Sequence, residues 1–213
     1  MNLFELKNVS YQSILSIDSL IIIQEDVTCI VGESGSGKTT LLKCLNKLKS
    51  PDQGEIFYLG KSLKEYESVS FRSKVMMVAQ QPIMYCDTIK EELLLACTLS
   101  SKPSLSDEEL TMILKQSSLK YPLSHSTQSL SAGEQQRIAI LRALISKPEV
   151  LLLDEPTSAL DEATIHQFME LLVSFAHKHH INLIIVTHAP TLMKSFSPRI
   201  ITLTSGMISE EKL

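Results

Sequence analysis

Apolar residues along the chain fall into two rhythms. In the first third they come in short runs rich in Ile, Val and Leu, which predict strands over residues 3–9, 20–23 and 27–31. The 27–31 run shows no alternation of polar and apolar character, as a strand buried on both faces requires. It leads into residues 32–40, after which Leu41, Leu42, Leu45 and Leu48 recur at helical spacing. A further strand is expected at 54–59, after the Pro51-Asp52 turn signal, and another at 75–79.

The rhythm then changes. Residues 88–97 and 106–117 read as helices, and Ser106 with Glu109 three positions on forms a capping box for the second. No strand pattern interrupts this stretch. Residues of about 83–130 are therefore expected to form a helical subdomain inserted into an α/β core made of 1–82 and 131–213. Alternation resumes with helix 132–146, strand 150–153, helix 162–179, strand 183–186, a short helix at 190–196 and strand 199–203. Strands separated by helices imply a mostly parallel sheet, and such sheets bind ligands at the carboxyl ends of their strands.

Charge narrows the partners. Lys and Arg total 20 against 24 Asp and Glu, a net charge of −4, which argues against nucleic acid as the main partner. The longest apolar runs are strand-length, far below the roughly 18 residues of a transmembrane helix. The first residues lack the basic-then-apolar order of a signal peptide, so a cytoplasmic site is expected. Four cysteines without a CxxC pair, three of them in apolar surroundings, are expected to be reduced core thiols.

The chemistry concentrates in three motifs. Gly32-Glu33-Ser34-Gly35-Ser36-Gly37-Lys38-Thr39-Thr40 is a full G-x-x-x-x-G-K-[ST] between a predicted strand and a predicted helix. Its glycines let successive backbone N–H groups converge on phosphates, and the helix adds its positive end. Lys38 supplies a cation, and the Thr39 hydroxyl can bind Mg²⁺. The apolar strand at 150–153 runs into Asp154-Glu155-Pro156. Asp154 at the ligand edge suits Mg²⁺, and Glu155 suits a base for an attacking water, strand alternation sending the two acids apart. Third, Leu130-Ser131-Ala132-Gly133-Glu134 opens a helix with a capping box at Ser131 and Glu134, and its small residues leave the helix end open to an anion. The cluster His177-Lys178-His179-His180 invites a metal site, but it ends a helix, where cations complement the dipole, and has no nearby Cys or carboxylate partner in the sequence.

With these motifs in order, the chain resembles the nucleotide-binding subunit of ATP-binding cassette (ABC) transporters over essentially its whole length. Leu130–Glu134 resembles the LSGGQ signature, with Ala132 for its first Gly and Glu134 for its Gln. Gln80, in Ala79-Gln80-Gln81-Pro82, resembles the glutamine that reaches Mg²⁺ and the attacking water. Ser158-Ala159-Leu160-Asp161 resembles the D-loop, His188 the switch histidine at the γ-phosphate, and Tyr11 the aromatic that stacks on adenine. Glu25-Asp26 departs from the Gly-Glu frequent there, and Ala132 adds a methyl where a partner's nucleotide approaches.

The resemblance implies an α/β fold with a P-loop NTPase core of the ABC type, a mixed sheet flanked by helices, an N-terminal antiparallel β part and the inserted helices. It implies an ATPase using ATP and Mg²⁺, with Thr39, Gln80 and Asp154 on the metal. It also implies a head-to-tail homodimer, or a pairing with a sister ATPase subunit, around two ATP. The partner would be a separate integral-membrane permease, the chain being peripheral on the cytoplasmic face and meeting the membrane only through it. Length and the segment from Ala79 onward resemble small export-type cassettes, including an iron-export group. The alternative is a soluble non-transport ATPase such as an iron–sulfur assembly factor.

Overall fold

The computed structural model describes residues 1–24, 27–100, 104–188, 195–197 and 199–212. The Glu25-Asp26 departure and nearly all of the short helix expected at 190–196 lie outside the described residues.

Two sheets form. The smaller is antiparallel, in the order β2 (Leu15–Ile23), β1 (Asn2–Tyr11), β4 (Gln53–Tyr58), β5 (Lys61–Ser62). The larger has the order β10 (Met207–Lys212), β9 (Arg199–Thr204), β3 (Val27–Val31), β8 (Asn182–Thr187), β7 (Val150–Asp154), β6 (Val75–Val78). Its strands run parallel except β10, which returns antiparallel along β9. The ABC-type α/β fold expected from the sequence is the fold observed, antiparallel N-terminal part included.

Period-two geometry explains why the middles of β7 and β8 are apolar on both faces: each strand feeds two cores. Leu151, Leu153, Leu183 and Ile185 face one core, shared with α5 (Ala132–Ile145) and α6 (Glu162–His179). Val150, Leu152, Ile184 and Val186 face the other, shared with α1 (Lys38–Leu45) and the antiparallel sheet. Ile89 and Leu93 of α3 (Ile89–Ser100), with Leu110 and Leu114 of α4 (Asp107–Gln116), are buried in the first core beside α5. Both expected capping boxes are present, Ser106 with Glu109 on α4 and Ser131 with Glu134 on α5.

Other boundaries differ from expectation for local reasons. β2 starts at Leu15 because its alternation changes phase: Ile17 and Leu20 are both buried, opposite Val9 and Leu6 of β1, where Asn8 takes a left-handed φ of 49°. The helix expected over 41–48 is instead Lys38–Leu45, leaving Leu48 exposed. The short α2 (Ser68–Lys74) and the strand β10 went unanticipated.

All four cysteines are free, as expected. Burial pushes the Cys29 thiol up to about 12 and the Cys44 thiol up to about 11, so neither is a thiolate at neutral pH. Among the described residues no helix is long and apolar enough to cross a membrane.

Candidate active site

The loop over 32–40 leaves the carboxyl end of β3 and enters α1. Gly37 is the N-cap of α1 at φ 101°. A Cβ there would meet Leu15 Cδ2 at 2.8 Å and the Ile14 carbonyl oxygen at 3.0 Å, so the turn needs glycine for its conformation and for its space. Lys38 follows as the first helical residue. It is buried, and its ammonium donates to the Gly32 carbonyl at 2.7 Å and the Glu33 carbonyl at 2.8 Å. A buried ammonium needs such partners, and these two bend the loop around the cation.

Asp154 is the last residue of β7 and is buried. The Thr39 hydroxyl donates to its Oδ1 at 3.0 Å, joining the loop to the neighbouring motif. Burial pushes the Asp154 carboxyl up; the Thr39 hydroxyl pulls it partly back, and the charge of Glu155 adds to the rise.

Glu155 lies just past the strand. Simple alternation does not set its direction: its backbone turns left-handed at φ 50°, which costs a non-glycine residue strain. The turn is held because its N–H donates to the Val186 carbonyl at 2.9 Å. The β7–β8 register, Asp154 opposite Val186, brings Glu155 beside the residues that end β8. His188 Nδ1 stands 2.9 Å from Glu155 Oε1, and the His188 N–H reaches Oε2 at 3.4 Å. Glu155 is almost fully buried while the His188 ring is 64% exposed, so the carboxylate is fixed in the floor and the imidazole forms the rim.

A cavity of about 620 Å³ brings together Lys38, Thr39, Gln80, Glu155 and His188 with Ser34, Gly35, Gly37 and Thr40 of the loop. Gln80 follows β6, and the adjacent Ala79 carbonyl accepts from Gln136 Nε2 of α5 at 3.3 Å. Ile14, which the sequence did not flag, also lines the cavity. Ser36 Oγ is buried without a hydrogen-bond partner. One cavity thus holds a cation, a glycine-rich loop and a carboxylate–imidazole pair, a set suited to holding an anion and activating a water beside it.

The remaining candidates sit elsewhere. Tyr11 ends β1 outside this cavity, its ring facing the Lys49 ammonium at 4.4 Å. Ser131, Ala132, Gly133 and Glu134 form the start of α5 and do not line the cavity either. Ala132 is helical and exposed, whereas Gly133 is buried against the 157–160 segment: a Cβ there would meet the Ala159 carbonyl oxygen at 2.6 Å. Asp161 caps α6 by accepting from the Thr164 amide. Among the described residues no group of three His, Cys, Asp or Glu could hold a metal, and His179 packs on Phe175.

Two features had no sequence signal: the reach of Tyr121 into the Ser131–Glu134 box, and a buried network around Glu92. Tyr121 donates to Glu134 Oε1 at 2.8 Å, while Glu134 Oε2 accepts from the Ser131 hydroxyl at 2.7 Å and the Ser131 amide at 2.8 Å. Burial pushes this carboxyl up but is outweighed by the Ser131 and Tyr121 hydrogen bonds, which hold it below its usual range. Further along, fully buried Glu92 accepts from the Tyr85 and Cys86 amides and pairs with Arg142 of α5, whose guanidinium lies over the Tyr85 ring.

Against known proteins, the family model described as ABC transporter matches residues 15–158. The chain is 36% identical over 209 residues to the ABC transporter ATP-binding protein YxdL of Bacillus subtilis, covering 95% of this chain and 80% of that one. It is 36% identical over 187 residues to the methionine import ATP-binding protein MetN of Protochlamydia amoebophila, covering 85% of this chain and 55% of MetN's length. Among solved structures, the ATP-binding cassette MJ0796, a dimer in a post-hydrolysis state with ADP and phosphate, superposes with a TM-score of 0.82 at 29% identity, covering 98% of this chain and 97% of that one.

Proposed function

The chain belongs to the ABC transporter family and is an ATP-binding, ATP-hydrolysing P-loop subunit, and on that premise we propose that it powers a separate integral-membrane permease by closing on ATP and hydrolysing it. The observation that carries the catalytic part is the Glu155–His188 pair, which lines one cavity together with Lys38.

The triphosphate lies along the 32–40 loop, its charge met by backbone N–H groups, the amino end of α1 and the Lys38 ammonium. Water attacks the γ-phosphorus in line; a new P–O bond forms as the bond to the ADP oxygen breaks, and Glu155 accepts the water's proton. His188 holds the Glu155 carboxylate by the 2.9 Å contact and sits at the rim, where it meets charge growing on the γ-phosphate. Gln80, on the same cavity, orients the water. Tyr11 is the proposed adenine platform.

Mg²⁺ fits these residues. Thr39 and Asp154 already touch at 3.0 Å, and burial with the neighbouring Glu155 charge disfavours the Asp154 carboxylate, a cost that a bound cation would relieve. Thr39, Asp154 and Gln80 would hold the ion, which supplies charge neutralisation of the phosphates.

One loop and one signature segment occur in the chain, and the signature does not line the loop's cavity. Ser131, Ala132, Gly133 and Glu134 are therefore assigned to the nucleotide held by a second copy or a sister ATPase, each copy completing the other's site; the dimeric ATP-binding cassette relative supports this. Residues 83–130, which hold α3 and α4, are assigned as the helical subdomain that meets the permease, together with exposed Ile83 and Tyr85 in the segment after Gln80. The chain would then work at the cytoplasmic face, reaching the membrane only through that partner. The methionine relatives favour import over the export of a metal ion expected from the sequence. The reported relatives lend no support to an iron–sulfur assembly role or to nucleic acid as partner.

Co-purification tests the transport reading: a tagged chain isolated from detergent-solubilised membranes should bring down an integral-membrane protein in stoichiometric amount. Recovery of the chain from the soluble fraction alone, under conditions that preserve other transporter complexes, would refute it.

A further inference from the structure

The Ser131 hydroxyl, assigned above to the nucleotide of a second copy, is already engaged. It stands 2.7 Å from Glu134 Oε2. An ionised carboxylate only accepts, so the proton in that contact is the serine's. The same oxygen takes the Ser131 amide at 2.8 Å, and the Glu134 amide returns to Ser131 Oγ at 3.4 Å. The carboxylate does not hold this pose alone: Tyr121 donates to its other oxygen at 2.8 Å, and the Tyr121 ring is itself stacked on His125 at 4.2 Å. The one proton of the Ser131 hydroxyl is thus committed to Glu134, and one of its two lone pairs faces the Glu134 amide.

We propose that Glu134, anchored by Tyr121, is a latch on the Ser131 hydroxyl, and that the γ-phosphate of the second copy's ATP must displace the carboxylate to receive the serine's proton. Tyr121 is then a positioning residue for the closing step, acting through Glu134 without touching nucleotide. The latch rests on the reading that the start of α5 closes on another copy's ATP. Physically it is a competition between two anions for one donor, and its position is set by how firmly Tyr121 holds the losing one. A glutamine at 134 would keep both Ser131 contacts through its amide oxygen, which as a neutral acceptor holds the hydroxyl proton less strongly than the carboxylate does.

The test uses the Glu155→Gln chain, in which ATP persists, and follows dimer formation against ATP concentration by sedimentation, with ATP binding to the monomer measured separately. Adding Glu134→Gln should lower the half-maximal ATP concentration for dimerisation by about fivefold, the margin of a hydrogen bond to a charged group over one to a neutral group. Tyr121→Phe, which keeps every charge, should lower it by a smaller factor of about three. Monomer affinity for ATP should not move in either. An unchanged or weakened dimer in Glu134→Gln overturns the latch. A gain in Glu134→Gln with none in Tyr121→Phe also overturns it, because removal of charge near a phosphate then explains the gain. A Glu155→Gln chain that stays monomeric at every ATP concentration instead sinks the second-copy reading on which the latch rests.

Discussion

Glu155 and His188, 33 residues apart in sequence, form a single unit: Oε1 to Nδ1 at 2.9 Å, with the Glu155 backbone bonded to Val186 two residues before the histidine. The strained φ of 50° at Glu155 is what aims the carboxylate at the imidazole. Glu155→Gln keeps the shape and removes the base. Hydrolysis should fall by a factor of about 10²–10⁴ while ATP binding persists, as single-turnover assays and equilibrium binding can show. Turnover near the parent rate would take Glu155 out of the base role.

Lys38 has two duties that one substitution removes together. Its ammonium closes the loop on the Gly32 and Glu33 carbonyls and presents charge to the cavity. Lys38→Ala should weaken ATP binding by about tenfold or more, a charged hydrogen bond being worth roughly 1.5–3 kcal/mol. Isothermal titration reads the change, and undiminished affinity would detach this loop from the nucleotide.

Gly133 is the point where α5 touches the segment leading from Glu155 to α6. A methyl there falls 2.6 Å from the Ala159 carbonyl, backbone that cannot swing aside. Gly133→Ala should therefore cost about 1–3 kcal/mol in a urea titration. Ala132→Gly, on the exposed neighbouring position, should cost no more than about 1 kcal/mol through helix propensity.

Glu92 holds a charge at zero exposure by accepting two amides and pairing with Arg142. Glu92→Ala strands the arginine and should cost about 3–5 kcal/mol. The double change Glu92→Leu with Arg142→Leu should cost less, since no buried charge remains. Denaturant midpoints of the parent and the two variants decide it; a double variant as unstable as the single would mean that the fixed 83–86 segment, rather than charge burial, dominates.

Elements with a local signal were legible in the sequence. The helix at 162–179 has its observed ends, because Asp161 caps it and its apolar face runs unbroken. Two Ser/Glu boxes located α4 and α5. What failed depended on neighbours distant in sequence. The Met207–Lys212 strand carries Ser, Glu and Lys, poor strand formers, and exists because β9 offers an edge. Within Ser68–Lys74 only Phe71 is buried, too little to make a period. The phase change shared by β1 and β2 hides an alternation that is intact on either side of it. At the site, motif spacing located Lys38, Thr39, Gln80, Glu155 and His188, which share one cavity. Nothing local could announce Tyr121 against Glu134, which closes when the segment after α4 folds back on the start of α5, or Glu92 against Arg142, which closes when α3 and α5 pack.

The register of the large sheet works as a ruler for the chemistry. Val31 lies level with Thr187, and Val186 with Asp154, so β7 and β8 hand their next residues, Glu155 and His188, to the cavity that the loop after β3 also lines. Ladder hydrogen bonds join these strands, and apolar packing fixes which face each residue takes: Cys29, Leu153 and Ile185 against one core, Ile30, Leu152 and Val186 against the other. Moving β8 by one position would bury His188 and send the wrong side chain to Glu155, since every residue of the strand would change faces. Residues with no polar side-chain atom, deep between two cores, therefore set the aim of a proton transfer they never touch.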